Sequence, residues 1–293
     1  MEQARQKKIA AINDLTGYGR CALAVSLPVI SHMRIQCCPI PTSILSNHAG
    51  YAEYFFDDYT DRIPDYLAMW KRLSLSFDGI MSGFLGSARQ IEMIESFINE
   101  FQGKETVVVV DPVMGDHGKI VGVYTEEMCQ GMKRLVSRAH IITPNLTEAC
   151  KLTDTPYRER GWTKKELFAM GEALNKMGPE RIVITGIPQG EMIANFVYEK
   201  GQEAHVVKTF RAGEERCGTG DLFASIIAAD AVNGVSFRES VRKASGFVKK
   251  SLQKSMEMQI PVKNGVCFEE ILHTLKVGGK AGIPVRAQVS RKG

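Results

Sequence analysis

The chain has 293 residues, of which 44% are hydrophobic and 24% are charged. A chain of this size and composition buries a large core, which excludes disorder as its default state. Its 37 basic and 33 acidic residues leave a net charge of only +4 and are dispersed along the chain, which argues against a nucleic-acid-binding surface. The polar start lacks the apolar core of a secretory signal, and no stretch is long enough to span a bilayer, so we expect a cytoplasmic protein of small-molecule metabolism.

Strand-length apolar segments alternate with helix-length amphipathic segments along the chain. This alternation predicts an α/β fold with a mostly parallel sheet covered by helices. The predicted strands are residues 8–12, 34–40, 78–81, 106–111, 140–143 and 181–185. Residues 106–110 form an unbroken β-branched run, which is typical of a strand buried on both faces, so we expect this strand at the centre of the sheet.

The second half of the chain predicts a different arrangement of strands. Residues 192–198 and 204–210 read as the two strands of a hairpin, followed by a helix over 219–233 that Gly234 ends and by a last helix over 237–254. We interpret residues 1–277 as one domain and the glycine-rich basic segment 278–293 as a mobile tail. The seven cysteines include no C-x-x-C pair, which favours reduced thiols, and Cys217 is interpreted as a buried neutral thiol.

The sharpest local signal is the segment C-G-T-G-D at 217–221, a glycine-rich turn that opens a predicted helix. Backbone N–H groups at a helix N-terminus are unpaired and stabilise a bound phosphate, and glycine permits close approach of the backbone. A carboxylate at Asp221 would then lie beside the transferred phosphate, where it can accept the proton of an attacking hydroxyl. The alternative is that Thr219 or Asp221 only caps the helix.

Two other nucleotide-binding patterns are incomplete or absent. The segment 17–19, G-Y-G, supplies only two glycines of a dinucleotide fingerprint, and no G-x-x-x-x-G-K-S/T motif occurs. A Rossmann dehydrogenase and a P-loop enzyme are therefore both disfavoured.

Several segments together resemble the ribokinase-like (PfkB) superfamily, and within it the pyridoxal, pyridoxine and pyridoxamine kinases. They are D-P-V-M-G-D at 111–116, T-P-N-L-T-E at 143–148 and G-T-G-D at 218–221, in the family's order along the chain. The resemblance implies a three-layer α/β/α sandwich and a kinase that moves the γ-phosphate of ATP to the 5′-hydroxymethyl group of a vitamin B6 vitamer. It also implies that Gly218, Thr219 and Gly220 form the anion hole and that Asp221 is the general base.

The same resemblance assigns the nucleotide and metal sites. It implies nucleotide-binding roles for Asp111, Thr143, Asn145, Glu148 and Thr185, with Asp111 and Glu148 organising Mg²⁺ and its waters. A carboxylate that only caps a helix N-terminus is the alternative for Glu148, and both roles could coexist. A monovalent cation such as K⁺ is common in this family although the sequence does not show one, and a homodimer is implied by the family alone.

Residues expected at the acceptor come from two further segments and a glycine-containing loop. S-N-H-A-G-Y at 46–51 and S-G-F-L-G-S at 82–87 are similar to segments that border the pyridine pocket of vitamin B6 kinases. The expected acceptor-binding residues are Ser46, Asn47, His48, Phe84 and Tyr124, the last on a flap formed by residues 115–124. Core packing of Phe84 and a plain surface loop at 115–124 are the alternatives.

The chain also departs from the vitamin B6 kinases. Asn13 and Asp14 stand where Ser-His is usual after the first strand, and Ala49 and Phe84 replace threonine and tyrosine. Asn13 can hydrogen-bond a ring nitrogen or phenolic oxygen, while Asp14 would favour a cationic substituent such as the aminomethyl group of pyridoxamine, or is only solvated or capping.

Three competing functions are considered. A hydroxymethylpyrimidine kinase typically has cysteine where this chain has Asp221. A sugar or nucleoside kinase would share the anion hole but not the segment 46–48. A non-catalytic nucleotide-binding regulator would lack the base or the glycines, which are present here.

Overall fold

The computed structural model describes residues 5–278, in which eleven strands form a nine-stranded sheet and a separate two-stranded sheet. The strands are β1 (Lys8–Thr16), β2 (Gln36–Leu45), β3 (Phe56–Asp58), β4 (Gly79–Ser82), β5 (Val107–Val110), β6 (Gly115–Asp116), β7 (Lys119–Ile120), β8 (Ile141–Ile142), β9 (Arg181–Gln189), β10 (Met192–Glu199) and β11 (His205–Phe210). The helices are α1 (Leu23–His32), α2 (Ile63–Arg72), α3 (Ala88–Phe101), α4 (Glu126–Val136), α5 (Leu146–Leu152), α6 (Lys164–Lys176), α7 (Thr219–Asn233) and α8 (Phe237–Glu257).

The large sheet has the strand order β11-β10-β9-β8-β5-β4-β1-β2-β3. The six strands from β9 to β2 in this order pair in parallel, whereas β3, β10 and β11 are antiparallel and lie at the two ends. Strand β5 is the middle strand, so the prediction of a central strand is confirmed. The predicted β10–β11 hairpin is also confirmed.

Helices cover both faces of the sheet. One core joins the sheet to α3, α4, α5 and α6, and the other joins it to α1, α7 and α8. Val108 and Val110 of β5 belong to the first core and Val109 to the second, as expected for a strand that is buried on both faces. The arrangement is the predicted three-layer α/β/α sandwich.

Some elements differ from the sequence prediction. Strand β9 runs on to Gln189 and forms a second hairpin with β10, and the short strands β3, β6 and β7 were not predicted. Strand β2 begins at Gln36 rather than at residue 34 because Arg34 has a left-handed φ of 65°. The proposed tail, from residue 279 onward, lies outside the described residues. None of the described helices has the length and apolarity needed to cross a membrane.

The strand order places one edge of the sheet to receive ligands. Strand β1 lies between β4 and β2, so β2 and β3 are added on one side of it and the later strands of the large sheet, from β4 onward, on the other. In open α/β sheets, ligands bind at the carboxyl ends of the strands near such a switch point. Asn13 and Asp14 near the end of β1, Gly83 after β4 and Asp111 after β5 all lie at this edge.

Candidate active site

The turn before α7 forms an uncapped helix N-terminus. Gly218 has a left-handed φ of 88°, and no side chain caps the helix, so the interpretation of Thr219 or Asp221 as a simple cap is not supported. The Thr219 hydroxyl instead donates to the carbonyl of Arg216 at 3.2 Å. Among the described residues no side chain bonds the amides of residues 218–220, so these amides are available to an anion.

Asp221 lies in the first turn of α7 and remains partly exposed. Its Oδ1 accepts a hydrogen bond of 3.1 Å from Asn13 Nδ2. Burial raises the pKa of Asp221, while hydrogen bonds from the Ala22 backbone and the Asn13 amide oppose that rise. A carboxylate with a raised pKa at an uncapped helix N-terminus is suited to accept a proton beside a bound anion.

Asp111 follows β5 and is only 9% exposed. Its Oδ1 accepts a hydrogen bond of 2.8 Å from Thr143 Oγ1, and a Cβ built on Gly220 would lie 4.0 Å from its Oδ2. Burial and the charge of Asp221 together raise the pKa of Asp111 to about 7 despite the Thr143 bond. The structure therefore brings together Asp111 after β5, Thr143 after β8 and Gly220 of the glycine turn.

Glu148 is 4% exposed and belongs to a capping box at the start of α5. Its Oε2 accepts from the Asn145 backbone at 2.8 Å and its Oε1 accepts from the Met114 backbone at 3.1 Å. Burial and the neighbouring Asp111 raise the pKa of Glu148 well above its ordinary value. The capping role considered for Glu148 is thus present, and its two oxygens already hold two backbone segments.

The other residues predicted at the nucleotide are tied to the same loop. Asn145 Nδ2 donates to the carbonyl of Gly115 at 2.7 Å, which joins the start of α5 to β6. The Thr185 backbone N–H donates to the carbonyl of Pro144 at 2.9 Å. Asn145 is therefore bonded to Glu148, and Thr185 lies alongside Pro144 and Asn145, although both side chains have protein partners.

Asp14 lies next to Asn13 and is partly buried. Thr16 Oγ1 donates to Asp14 Oδ2 at 2.6 Å. Burial, together with the charge of Asp221, raises the pKa of Asp14 to about 6 against this bond. Asp14 is therefore a titratable carboxylate near Asp221 rather than a freely solvated side chain.

The predicted acceptor loop makes structural hydrogen bonds of its own. Ser46 Oγ accepts from the Phe55 backbone at 2.9 Å and donates to Asn47 Oδ1, while Asn47 Nδ2 donates to the Glu53 carbonyl. His48 Nδ1 accepts from the Gly50 backbone, so its Nε2 carries the proton and donates to the Lys263 carbonyl at 2.7 Å. These contacts shape the loop, and an acceptor-binding role for the three side chains stays a prediction.

Phe84 and Tyr124 face each other with ring centroids 6.5 Å apart. Phe84 is half-buried against the core, whereas Tyr124 is 9% exposed and its hydroxyl has no hydrogen-bond partner within residues 5–278. Burial raises the pKa of Tyr124.

Residues 115–120, which precede Tyr124, form the two-stranded hairpin β6–β7, in which His117 Nε2 contacts Glu215 Oε2 at 2.6 Å. The hairpin thus reaches toward the segment that precedes the anion turn.

Sequence reasoning missed the loop between β1 and α1. The carbonyl of Arg20 lies so close to Gly218 that a Cβ there would overlap it, and the Ala22 backbone lies near enough to Asp221 to lower its pKa. Cys21 is buried beside half-buried Cys217, and the pKa of Cys21 is raised by its hydrogen bond with Cys217 and then by burial. The glycines at 17 and 19, set aside as a broken dinucleotide fingerprint, were the available signal for this loop.

The site is rich in carboxylates and poor in counter-ions. Within the described part of the chain, no Lys or Arg forms a salt bridge with Asp14, Asp111, Glu148 or Asp221. Residues 5–278 also contain no cluster of three or more His, Cys, Asp or Glu side chains that could enclose a metal ion. The arrangement can bind an anion through backbone amides, accept a proton, and associate with a cation that keeps most of its water.

A sequence profile of phosphomethylpyrimidine kinase matches residues 65–265, which is more than half of the chain. The chain belongs to the phosphomethylpyrimidine kinase family. A chloroplastic bifunctional thiamine-biosynthetic enzyme of Arabidopsis thaliana is 30% identical over 67% of the chain, and the match spans 38% of that longer enzyme. A pyridoxine/pyridoxal/pyridoxamine kinase of Bordetella avium is 27% identical over 83% of the chain and 84% of its own length.

A solved structure extends the likeness to almost the whole chain. A Bacteroides thetaiotaomicron protein described as a phosphomethylpyrimidine kinase is 36% identical, with a TM-score of 0.90 over 94% of this chain and 96% of its own. A second crystal form of that protein contains pyridoxal. The predicted ribokinase-like fold and the resemblance to this group of kinases are therefore confirmed, at the level of a pyridoxal and phosphomethylpyrimidine kinase type.

Proposed function

We propose that this chain is an ATP-dependent kinase that phosphorylates the 5′-hydroxymethyl group of a vitamin B6 vitamer. The observation that carries the proposal is the position of Asp221 at the uncapped N-terminus of α7, in contact with Asn13 at the end of β1. The crystal form of the Bacteroides protein that contains pyridoxal supports this acceptor class. The proposal commits to the acceptor and to the roles of the site residues, which the family alone leaves open.

In the proposed reaction, the γ-phosphate lies against the backbone amides of residues 218–220. Asp221 accepts the proton of the acceptor hydroxyl as the oxygen forms its bond to phosphorus. The bond between the γ-phosphorus and the bridging oxygen breaks, ADP leaves, and Asp221 returns its proton to solvent. The amides stabilise the charge on the equatorial oxygens, since backbone donors fixed by the turn need no reorganisation.

The residues around the turn fit Mg²⁺ in part. Asp111 has one oxygen bonded to Thr143, and the described residues include no hydrogen-bond donor to its Oδ2, while its raised pKa reflects an uncompensated buried carboxyl. Glu148, with both oxygens bonded to backbone, would act on the ion through bound water. When bound, Mg²⁺ neutralises the charge of the ATP phosphates. A monovalent cation and a homodimer remain family-based proposals.

On the acceptor side, Phe84 offers an aromatic surface and Asp14 a carboxylate. Phe84 is half-buried near Tyr124, and Asp14 lies beside Asp221 at the end of β1. A pyridine ring against Phe84 would place its substituents between these groups. The segment 46–51 and the hairpin β6–β7 would then close the site and exclude water.

A hydroxymethylpyrimidine acceptor is the second candidate, favoured by the family profile and by the Arabidopsis thiamine enzyme. It shares the hydroxymethyl group and an aromatic nitrogen ring, so the same base and anion turn would serve it. A cysteine is typical at the base position of that branch, and Asp221 stands there in this chain.

Acceptor specificity is tested with pyridoxal, pyridoxine, pyridoxamine, hydroxymethylpyrimidine and ribose in parallel, with ATP and Mg²⁺. ADP release is measured for each, and the phosphorylated oxygen is assigned by ³¹P NMR. We expect the highest kcat/KM with a vitamin B6 vitamer and no turnover with ribose. A higher kcat/KM with hydroxymethylpyrimidine would assign the chain to the thiamine pathway, and ADP release without any acceptor product would contradict both.

A further inference from the structure

Asn13 is 3% exposed, and both ends of its side-chain amide have protein partners. Its Oδ1 accepts from the Asp14 backbone at 3.0 Å and from the Phe84 backbone at 2.9 Å. Its Nδ2 donates to Asp221 Oδ1 at 3.1 Å. One amide therefore joins the end of β1, the segment after β4 and the first turn of α7.

The orientation of this amide is determined by its neighbours. Two backbone N–H groups converge on one end, and an N–H cannot pair with the –NH₂ of an amide, so the oxygen must be at that end. The –NH₂ group must then face the carboxylate of Asp221. A carboxylate accepts hydrogen bonds from such a donor without competition from the two backbone groups.

Packing around Gly83 keeps the amide in this position. A Cβ on Gly83 would lie 2.5 Å from Asn13 Nδ2 and 2.7 Å from its Cγ, closer than real Cβ contacts. Glycine at position 83 therefore leaves the space that the Asn13 amide occupies. A side chain there would displace the amide from Asp221.

We propose that Asn13 is a positioning residue, which holds the Asp221 carboxylate in its reactive orientation and does not contact the acceptor. This inference rests on the proposed function, in which Asp221 is the base, and replaces the ring contact predicted for Asn13 from sequence. Through the Phe84 backbone, the same amide also sets the base relative to the aromatic surface proposed for the acceptor. Displacement of a reacting group by about 1 Å is enough to reduce turnover about 10²-fold.

The first test is Asn13→Asp, which keeps an oxygen for the two backbone donors and replaces only the –NH₂ that faces Asp221. We expect kcat to fall roughly 10²-fold while the acceptor Kd stays within about twofold of the wild-type value. Calorimetry gives this Kd and the number of acceptor-binding sites, and kcat is expressed per binding site. Gly83→Ala leaves Asn13 unchanged but displaces its amide, so it should also lower kcat without changing the acceptor Kd. A rise in acceptor Kd that accounts for the whole loss would show a substrate contact and overturn the proposal.

The second test is the double variant with Asp221→Asn. If Asn13 acts through Asp221, Asn13→Asp should lower the residual kcat of Asp221→Asn by less than about twofold. Equal losses in both backgrounds would show that Asn13 acts independently. Thr42→Val is the control. Thr42 Oγ1 donates to the Phe84 carbonyl at 3.0 Å, so this variant removes a bond to the same segment without altering the Asn13–Asp221 pair, and its kcat should stay close to wild type.

These measurements use whichever acceptor the wild type phosphorylates, so an error in the proposed vitamer does not affect them. If the wild type phosphorylates none, the proposed function fails, and thermal unfolding still tests the contact. Asn13→Asp should lower Tm because two carboxyls then face each other, and Asp221→Asn in the same chain should restore it. Additive changes in Tm would overturn the contact itself.

Discussion

The carbonyl oxygen of Arg20 lies against the α-carbon of Gly218, in the space that any side chain at position 218 would need. Gly218 also has a left-handed φ of 88°. Gly218→Ala should therefore disrupt the turn and lower kcat roughly 10²- to 10³-fold, as expected when anion-stabilising amides are displaced. Steady-state kinetics with saturating acceptor would measure this loss.

Gly234→Ala is the matched control for this prediction. Gly234 has a similar φ of 76° at the other end of α7, but a Cβ there meets no atom within 4 Å. It should lose about 1 kcal/mol of unfolding free energy and retain normal turnover. Equal losses of turnover in the two variants would show that α7 stability, and not the anion turn, is responsible.

Asp221→Asn should retain nucleotide and acceptor binding and lose turnover roughly 10²- to 10⁴-fold, because it keeps the shape of the side chain and removes the proton acceptor. Binding is measured by calorimetry with ADP and with the acceptor, and turnover by ADP release. Since burial raises the pKa of Asp221, the neutral amide should not lower thermal stability. Near-normal turnover would exclude Asp221 as the base.

The predictable parts of this protein are those encoded by neighbouring residues. The β-branched run of β5 and the alternation of strand-length with helix-length segments follow from the burial of one face or both, so the sequence predicts the layered fold without its strand order. The anion turn was also predictable, because residues 218–221 are contiguous.

Contacts between segments that are distant in the sequence could not be predicted from local sequence patterns. Asn13 and Asp221 are 208 residues apart, and His48 contacts Lys263 across 215 residues. The local sequence identifies the side chains that can form hydrogen bonds, but it does not identify their partners in the folded chain. Asn13 was therefore predicted to contact the acceptor, whereas in the structure its amide is bonded to Asp221 and to two backbone groups.

Glu148→Gln should raise the Mg²⁺ concentration needed for half-maximal rate and leave acceptor binding in the absence of metal unchanged. The reason is that the variant removes one of the two buried carboxyl groups beside the proposed metal position, and an amide cannot ionise to neutralise a cation. The rate is measured as a function of Mg²⁺ at fixed ATP. An unchanged Mg²⁺ dependence would leave Glu148 with its capping role alone.

Glu166→Gln separates that effect from helix capping. Glu166 forms an equivalent capping box with Thr163 at the start of α6. Both variants weaken a capping box, but only Glu148→Gln should change the response to Mg²⁺.

The pKa of Asp14 also predicts a pH dependence of stability. Burial raises this pKa from its ordinary value of 3.8 to about 6, so between these values the folded state holds a proton that the unfolded state releases. The contribution of Asp14 to stability should therefore fall as pH rises from about 4 to about 6. Urea unfolding across this range should show a smaller fall for Asp14→Asn than for the wild type, and identical pH profiles would place Asp14 in solvent.

Acceptor preference should follow the same titration. Above pH 6 the Asp14 carboxylate is ionised, and a charge-assisted hydrogen bond to the aminomethyl group of pyridoxamine contributes about 1.5 to 3 kcal/mol, which the neutral hydroxyl of pyridoxine cannot match. The ratio of kcat/KM for pyridoxamine to that for pyridoxine should thus rise as pH increases through about 6. Because both acceptors share the base and the anion turn, titration of Asp221 cancels in this ratio. Asp14→Asn should lower the ratio at pH 8 and remove its dependence on pH. If the variant loses activity equally toward both acceptors, Asp14 acts through the end of β1 and not through charge recognition.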